Sequence, residues 1–578
     1  MKFSKSAILF IIIICFSGIL IFFRLTRADF QTDGAFYSMW SVGYLDYLFS
    51  DRQTTPVQWF FIIPWWARLS FHAHPPLVFI IQNIFFRVFW ENEFTALLPF
   101  ALAGIGSLIL LYYIAKKLYD KNTALMAVFF LGISTLFTWA SRVTYLEGVV
   151  IFFILLAILF FLKSFEKQNY FPLFGACLGM AFLTKYTTFF LIPLIVSYAY
   201  FRDKKILFSK KFFVAMAVFA VVFSPVIFYN FMLFKTRGHF DVQFSHIFPW
   251  VFEAAKKDWP ILFTQNLVTS PYANFLNIGA ALGIGYSKIF IGAILISVTY
   301  IAAQIFLRKK KHHFLFLAIT SLAVEFSFIS PNIRYMAIWS PFLALALAVC
   351  IMDFYNFVIR DKEIQTQKKL LCIFVPLIIF FASMEIYFNM NTNIFAKPMG
   401  VKDKNYSSLR AEDLGFKNLE KHMLEIWKKD KLFSSDVKAI NALHDITFYD
   451  VNFADNNIYL YENGLDWFAT TWYLERYKVY HGMIMSSDLT FWRSSQTADN
   501  WFALLQERKM KNFYYIKGVA EKVFNPSYYA NPKQSELSGF VENEFLRSME
   551  DNAPVTVENV FDDDGVLIFK VYRARLNE

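Results

Sequence analysis

Eight ionisable side chains stand in or beside apolar stretches where charge is expensive: Asp29, Asp33, His72, His74, Arg142, Glu147, Lys185 and Arg334. A charge at the centre of a bilayer costs about 2.5 kcal/mol or more, so each calls for a reason. A carboxylate beside the bilayer can take a proton from an incoming hydroxyl or amine. Cations can hold a departing phosphate whose lipid tail stays in the membrane. Together they describe group transfer from a lipid phosphate, although neither half is diagnostic alone. Plain structural readings compete at every position. Asp33 could cap a helix, and Asp29, four residues earlier, could be an interfacial carboxylate. His74 could finish a turn stiffened by Pro75 and Pro76, and Arg142 with Glu147 could be a surface ion pair of little worth. Lys185 and Arg334 could snorkel to headgroups. The cluster Trp59 to Trp66 could cradle a prenyl chain or sugar face, or simply line a membrane interface. His72 and His74 lack helical i,i+4 spacing and a third ligand, so they make a poor metal signal.

What must position these groups is legible from composition. The 578 residues are 57% hydrophobic and 17% charged, against roughly 45–50% and about 25% in an ordinary soluble domain. That balance argues against a soluble enzyme, and intrinsic disorder fails on the same composition. The charge also has a position. Residues 1–400 hold 34 Lys and Arg against 18 Asp and Glu, whereas residues 401–578 hold 22 against 27. The reading is an all-α polytopic membrane domain over 1–389 and a soluble α/β or α+β domain over 390–578. Cys15, Cys177, Cys350 and Cys372 all lie in hydrophobic runs, which leaves the tail without a disulfide framework.

The apolar run from Ala7 to Phe23 is followed by Arg24-Leu-Thr-Arg27 rather than by a small-residue cleavage site, so it reads as an uncleaved anchor with a cytoplasmic amino end. Further spans are expected near 95–115, 123–140, 147–163, 171–184, 186–201, 212–229, 286–307, 314–330, 335–355 and 370–388, about eleven in all. Every second connection is basic, including Lys116-Lys117 and Arg308 to Lys311, as cytoplasmic loops should be. Two long outer loops remain, 24–94 and 230–285, and loops of that length usually carry function. Residues 76–90 are apolar but interrupted by Gln82, Asn83 and Arg87, which favours an interfacial helix over a span. This threading brings the polar candidates to one outer face. The Lys and Arg runs are topology signals, with no nucleic-acid role.

Four motifs then resemble a family. Thr32-Asp33-Gly34-Ala35-Phe36-Tyr37 is similar to the Asp-Glu-x-x-Tyr stretch of bacterial protein O-mannosyltransferase-like proteins and of the lipid A aminoarabinose transferase, both of the GT-C glycosyltransferase fold. His74-Pro75-Pro76-Leu77 is similar to their Lys/His-Pro-Pro-Leu, and Arg142 to Glu147 to their Ala-Arg-x-x-x-Leu-Asp. Gly179-Met-Ala-Phe-Leu-Thr-Lys185 is similar to their Gly-Leu-Ala-Phe-Leu-Thr-Lys, and Arg334-Tyr335 before Pro341 also fits. The resemblance implies a polyprenyl-phosphate-sugar donor, an outer-face acceptor and inversion at the anomeric carbon. It makes Asp33 the leading catalytic carboxylate and Glu147 a second acid. Arg142, Lys185, His74 and Arg334 fall to the donor phosphate, and Tyr37, Trp59 and Trp65 to substrate positioning. Three departures stand out: Gly34 replaces the usual second acid, Leu97-Leu98-Pro99 lacks an expected arginine, and Glu147 replaces a shorter Asp.

The expectation is therefore a multi-pass enzyme of a bacterial inner membrane, with its carboxyl-terminal domain periplasmic or extracellular. It would move a sugar from a polyprenyl phosphate to a glycan, lipid or protein acceptor among membrane lipids. No cofactor is required by the sequence, although a carboxylate-rich site could hold a divalent cation. The alternative is a transporter or flippase for lipid-linked sugars. That class would place binding residues near the bilayer midplane, often on repeated or broken helices.

Overall fold

The computed structural model describes residues 4–30, 32–49, 60, 63–68, 74–258, 270–360, 363–395, 412–429, 457–481, 483–495, 505–507, 509–525 and 532–576. Trp59 and His72 lie outside them. The chain forms two compact units, Met1–Thr26 with Phe71–Ala411 and Arg27–Ser70 with Glu412–Glu578. The linear division at residue 390 does not anticipate that grouping, because the first part of the first outer loop folds with the tail.

The first unit is helical. Among the described residues, eight helices are long and apolar enough to cross a membrane: Lys5–Phe22, Glu93–Leu118, Glu147–Ser164, Lys210–Arg237, Lys288–Phe306, Lys310–Ile329, Ile333–Ile359 and Ile364–Phe395. Lys121–Ile133 and Thr135–Arg142 are bent by 63° and count as a ninth if taken as one span. A multi-pass membrane protein is the result, with fewer full-length spans than the eleven expected. The difference lies at 171–201. There the helices Phe171–Thr184 and Leu191–Asp203 have 14 and 13 residues, short of the ~17–25 that a bilayer asks for. Lys185 breaks the run in extended conformation, and a 3-10 turn over Tyr186–Thr188 follows. A second difference is the apolar helix Pro271–Gly285, inside a stretch read as loop. The expected short helix is present as Leu77–Phe89 and turns Gln82 and Asn83 inward, whereas Ile84, Arg87, Val88 and Phe89 are exposed.

Local chemistry sets the helix ends. Asn92, Asp120 and Ser209 accept backbone N–H bonds at three amino termini, and Gly238, at φ +79°, closes Lys210–Arg237 in the left-handed conformation that favours glycine. Close approach does the rest. A Cβ on Gly175 would stand 2.1 Å from the Ala215 carbonyl oxygen, and one on Gly179 2.7 Å from Val222. Both glycines let Phe171–Thr184 lie directly on Lys210–Arg237, as small residues do between membrane helices, and this packing fixes where Lys185 emerges.

The second unit is the α/β domain. Its strands β1 (Asn457–Tyr461), β2 (Ile484–Ser487), β3 (Asn512–Gly518), β4 (Val555–Phe561) and β5 (Leu567–Arg575) form one sheet in the order β2-β1-β3-β5-β4. The β2-β1-β3 part is parallel, and β5 runs antiparallel to both β3 and β4. Ile458, Leu460, Phe513 and Tyr515 pack with Val541, Phe545 and Met549 of helix Pro532–Asn552 to make a core. The early segment is bound into this unit. Asp29 is buried, and its Oδ2 accepts from Gly415 N at 2.7 Å and Phe416 N at 3.0 Å, at the start of helix Phe416–Lys429. Phe30 packs on Trp472 at 5.1 Å, and the Tyr480 hydroxyl donates to the Met39 carbonyl at 2.8 Å. At Gly43 a Cβ would meet the Tyr480 ring at 2.5 Å, so a glycine is needed there.

Candidate functional site

In the first unit, four of the expected residues converge. Glu147 opens helix Glu147–Ser164, and Lys185 follows the carboxyl end of Phe171–Thr184. Both are buried, and the Lys185 ammonium pairs with Glu147 Oε1. The ammonium also lies 4.2 Å from the centroid of the Tyr335 ring, within cation–π range. Arg334, on the short helix Ile333–Met336, has its guanidinium 5.0 Å from the Tyr335 ring and 5.5 Å from the Tyr145 ring. Its Nη2 donates to the Tyr335 hydroxyl at 3.1 Å. The charges of Lys185 and Arg334 both act on Glu147 and on His74.

His74 is buried before helix Leu77–Phe89, with Nδ1 2.5 Å from the amide nitrogen of Gln243. Burial first, then the cations Lys185 and Arg334, hold its imidazole well below the usual range, so the ring is neutral. With Gln243 donating to Nδ1, the ring proton is assigned to Nε2. Gln243 is held in turn. Asp241, buried at the start of helix Val242–Ile247, accepts from the Tyr186 hydroxyl at 2.7 Å, Asn230 Nδ2 at 2.9 Å and Phe244 N at 2.9 Å. Burial pushes its carboxyl up to about 6. The second outer loop is thus tied to Tyr186, the neighbour of Lys185. Two cations, one carboxylate and a neutral N–H donor thus share one site, a donor set that suits an anion.

Arg142 is placed elsewhere. Its Nη1 donates to the carbonyls of Leu20, Ile21 and Phe23 at 2.7–3.0 Å, and its Nη2 to that of Arg24 at 2.9 Å. These are carbonyls at and just past the end of helix Lys5–Phe22, which otherwise go without intrahelical partners, and a cation there also suits the helix dipole.

Sequence reading passed over several polar residues of the same unit. Glu385 is buried in helix Ile364–Asn389. Its Oε1 accepts from Thr135 N at 2.9 Å and Thr135 Oγ1 at 2.7 Å, and its Oε2 from Ser287 N at 2.9 Å. One carboxylate thereby satisfies the starts of two helices. Asn389 Nδ2 donates to the Ile133 carbonyl and Asn393 Nδ2 to that of Thr135, across the break at Ser134. A lone Glu inside an apolar span was the available signal for Glu385. Asp241 and Gln243 left none beyond their place in a long loop.

In the second unit, Asp33 begins helix Asp33–Val42 and is partly exposed, whereas Tyr37 is buried one turn on. Trp65, in the turn Trp65–Ala67, is 70% exposed. The expected residues therefore fall into two groups, one per unit. Among the described residues, no three His, Cys, Asp or Glu side chains gather as a metal site.

Residues 73–229 match the family described as dolichyl-phosphate-mannose-protein mannosyltransferase. That span includes His74, Arg142, Glu147 and Lys185 but neither Asp33 nor Arg334. YkcB of Bacillus subtilis (strain 168), which carries a provisional mannosyltransferase name, is 31% identical over 113 residues, 19% of this chain and 16% of its own length. The chain thus spans about a sixth of that relative. ArnT from Cupriavidus metallidurans, solved with undecaprenyl phosphate, superposes with a TM-score of 0.55 at 13% identity over 99% of this chain and 98% of its own. The Archaeoglobus fulgidus oligosaccharyltransferase, solved with Zn and sulfate, gives 0.51 at 13% identity over 97% and 72%. At such identity the solved neighbours establish the fold. The fold that the motifs implied is borne out, and within it residues 73–229 carry the mannosyltransferase family match.

Proposed function

We propose that the chain transfers a sugar from a polyprenyl-phosphate carrier to an acceptor outside the cytoplasm, with inversion at the anomeric carbon. The observation that carries this reading is the cluster of Lys185, Arg334, Glu147 and His74, which brings two cations and an N–H donor together at the ends of membrane helices. ArnT, of the same fold, was solved with a lipid phosphate. Lys185 and Arg334 hold the donor phosphate, and His74 Nε2–H donates to it. Glu147 keeps Lys185 aimed. Asp33 takes the proton of the acceptor hydroxyl as its oxygen bonds to the anomeric carbon, and the bond from that carbon to the phosphate oxygen breaks, releasing the carrier phosphate. Tyr37, Trp59 and Trp65 position substrate. Arg142, engaged with four carbonyls, secures the first helix rather than the phosphate.

In this reading the amino terminus faces the cytoplasm of a bacterial inner membrane and the tail lies outside it. No step is routed through a divalent cation. The test uses proteoliposomes with undecaprenyl-phosphate-mannose as the donor probe. Asp33→Asn is expected to slow carrier-phosphate release roughly 10²–10⁴-fold, the worth of a positioned base. Unchanged turnover in a folded variant would remove Asp33 from the chemistry. Movement of the intact donor across the bilayer without glycoside formation would replace transfer by transport.

A further inference from the structure

The tail carries no catalytic motif, yet it adds a side chain to the helix that bears Asp33. Trp467 opens helix Trp467–Thr470, where the Asp466 carboxylate accepts from Ala469 N at 2.8 Å and Asp466 N donates to the Val523 carbonyl at 2.9 Å. The turn is therefore anchored to the sheet domain, and its indole also meets the Phe468 ring at 5.0 Å. Trp467 is nevertheless 52% exposed. Its ring stacks on Phe36 at 6.1 Å between centroids and 26° between planes, and Phe36 leans on Trp40 at 5.3 Å. Phe36 stands three residues after Asp33, so the aromatic stack and the carboxylate share a helix face.

We propose that Trp467 and Phe36 form the acceptor subsite, a stacking platform for a pyranose ring. The choice of occupant rests on the glycosyl-transfer reading. An exposed indole forgoes apolar burial and marks a binding surface when it belongs to an ordered aromatic group. The two features of this face match the two sides of a sugar. The π surface is negative and attracts the axial C–H groups of one ring face, while the carboxylate one turn away suits a hydroxyl at the ring edge. A purely aliphatic occupant would have no use for Asp33.

The experiment uses the full chain in lipid nanodiscs, with methyl α-D-mannopyranoside, methyl α-D-glucopyranoside, methyl β-D-galactopyranoside and methyl N-acetyl-β-D-glucosaminide as probes. Saturation-transfer NMR should show contact to the ring-face protons of at least one glycoside. Trp467→Ala should weaken that binding roughly 3–10-fold, in line with a lost aromatic contact, while Trp467→Phe keeps most of it. In parallel, brominated lipids should quench wild type and Trp467→Phe equally, because the indole meets sugar and not acyl chain. No contact with any glycoside, equal binding by Trp467→Ala, or bromine quenching that disappears in Trp467→Phe would overturn the platform. Glycoside binding that persists while proteoliposomes move the intact donor without forming a glycoside would instead sink the transfer reading and leave the sugar platform standing.

Discussion

Two charged regions of the helical unit differ in what surrounds the charge. Arg142 and Glu385 are each encased by backbone: four carbonyls meet the guanidinium, and two N–H groups with one hydroxyl meet the carboxylate. Lys185, Arg334, Glu147 and His74 are met by other side chains and by each other's charges. The first arrangement consumes the charge to mend helix ends. The second gathers two cations, a carboxylate and an imidazole whose partners are side chains. Burial of an ionisable group is thus no guide to chemistry until its partners are known.

Four experiments can break or sharpen that contrast. Lys185→Met should have the largest effect, because it leaves Glu147 buried without its counter-charge, at about 3–5 kcal/mol. Thermal unfolding should show the loss, and Lys185→Met with Glu147→Gln should restore most of the stability but none of the transfer. Glu385→Ala should cost about 2–4 kcal/mol by stripping two helix starts of their acceptor. Activity per folded molecule should stay level, and Glu385→Gln should be far milder.

Asp29 extends the comparison beyond the membrane. It too serves backbone N–H groups, yet burial above all pushes its carboxyl up to about 6, against the charge of Lys417 and the bonds from Phe416 and Gly415. Between pH ~4 and ~6 the folded chain keeps a proton that the unfolded chain releases. Stability therefore falls as pH rises through that window and levels off above it, by up to about 3 kcal/mol, and Asp29→Asn should flatten the curve in melts run from pH 4 to 7. Arg142→Lys should have the smallest effect, about 1–2 kcal/mol for a lost fork of donors. The donor KM should not move; a rise of more than about tenfold would place Arg142 on the phosphate after all.

The sequence showed the membrane domain, the aqueous tail and the residues that cluster around Lys185, because an ionisable group in an apolar run is conspicuous whatever its neighbours are. It did not show that Arg142 would spend its donors on carbonyls, since a helix end leaves no mark on a residue 120 positions away. Apolar residues run through β1, β3 and β5, as in Ile458-Tyr-Leu-Tyr461 and Phe513-Tyr-Tyr-Ile516. β2 has only four residues, and β4 is largely exposed with polar residues interleaved, so neither stood out. Residues 27–70 read as a loop because their partners, such as Tyr473 and Tyr480, lie more than 400 positions on.

That long-range pairing has a consequence for biosynthesis. The helix carrying Asp33 leaves the ribosome well before Trp472 and Tyr480, the residues it and its neighbours pack against, are made. At about 5–20 residues per second, the wait is roughly 20–90 s. Throughout that interval the nascent protein holds its candidate base on an unfinished support, so a prematurely terminated product should be inert even with every transmembrane helix in place.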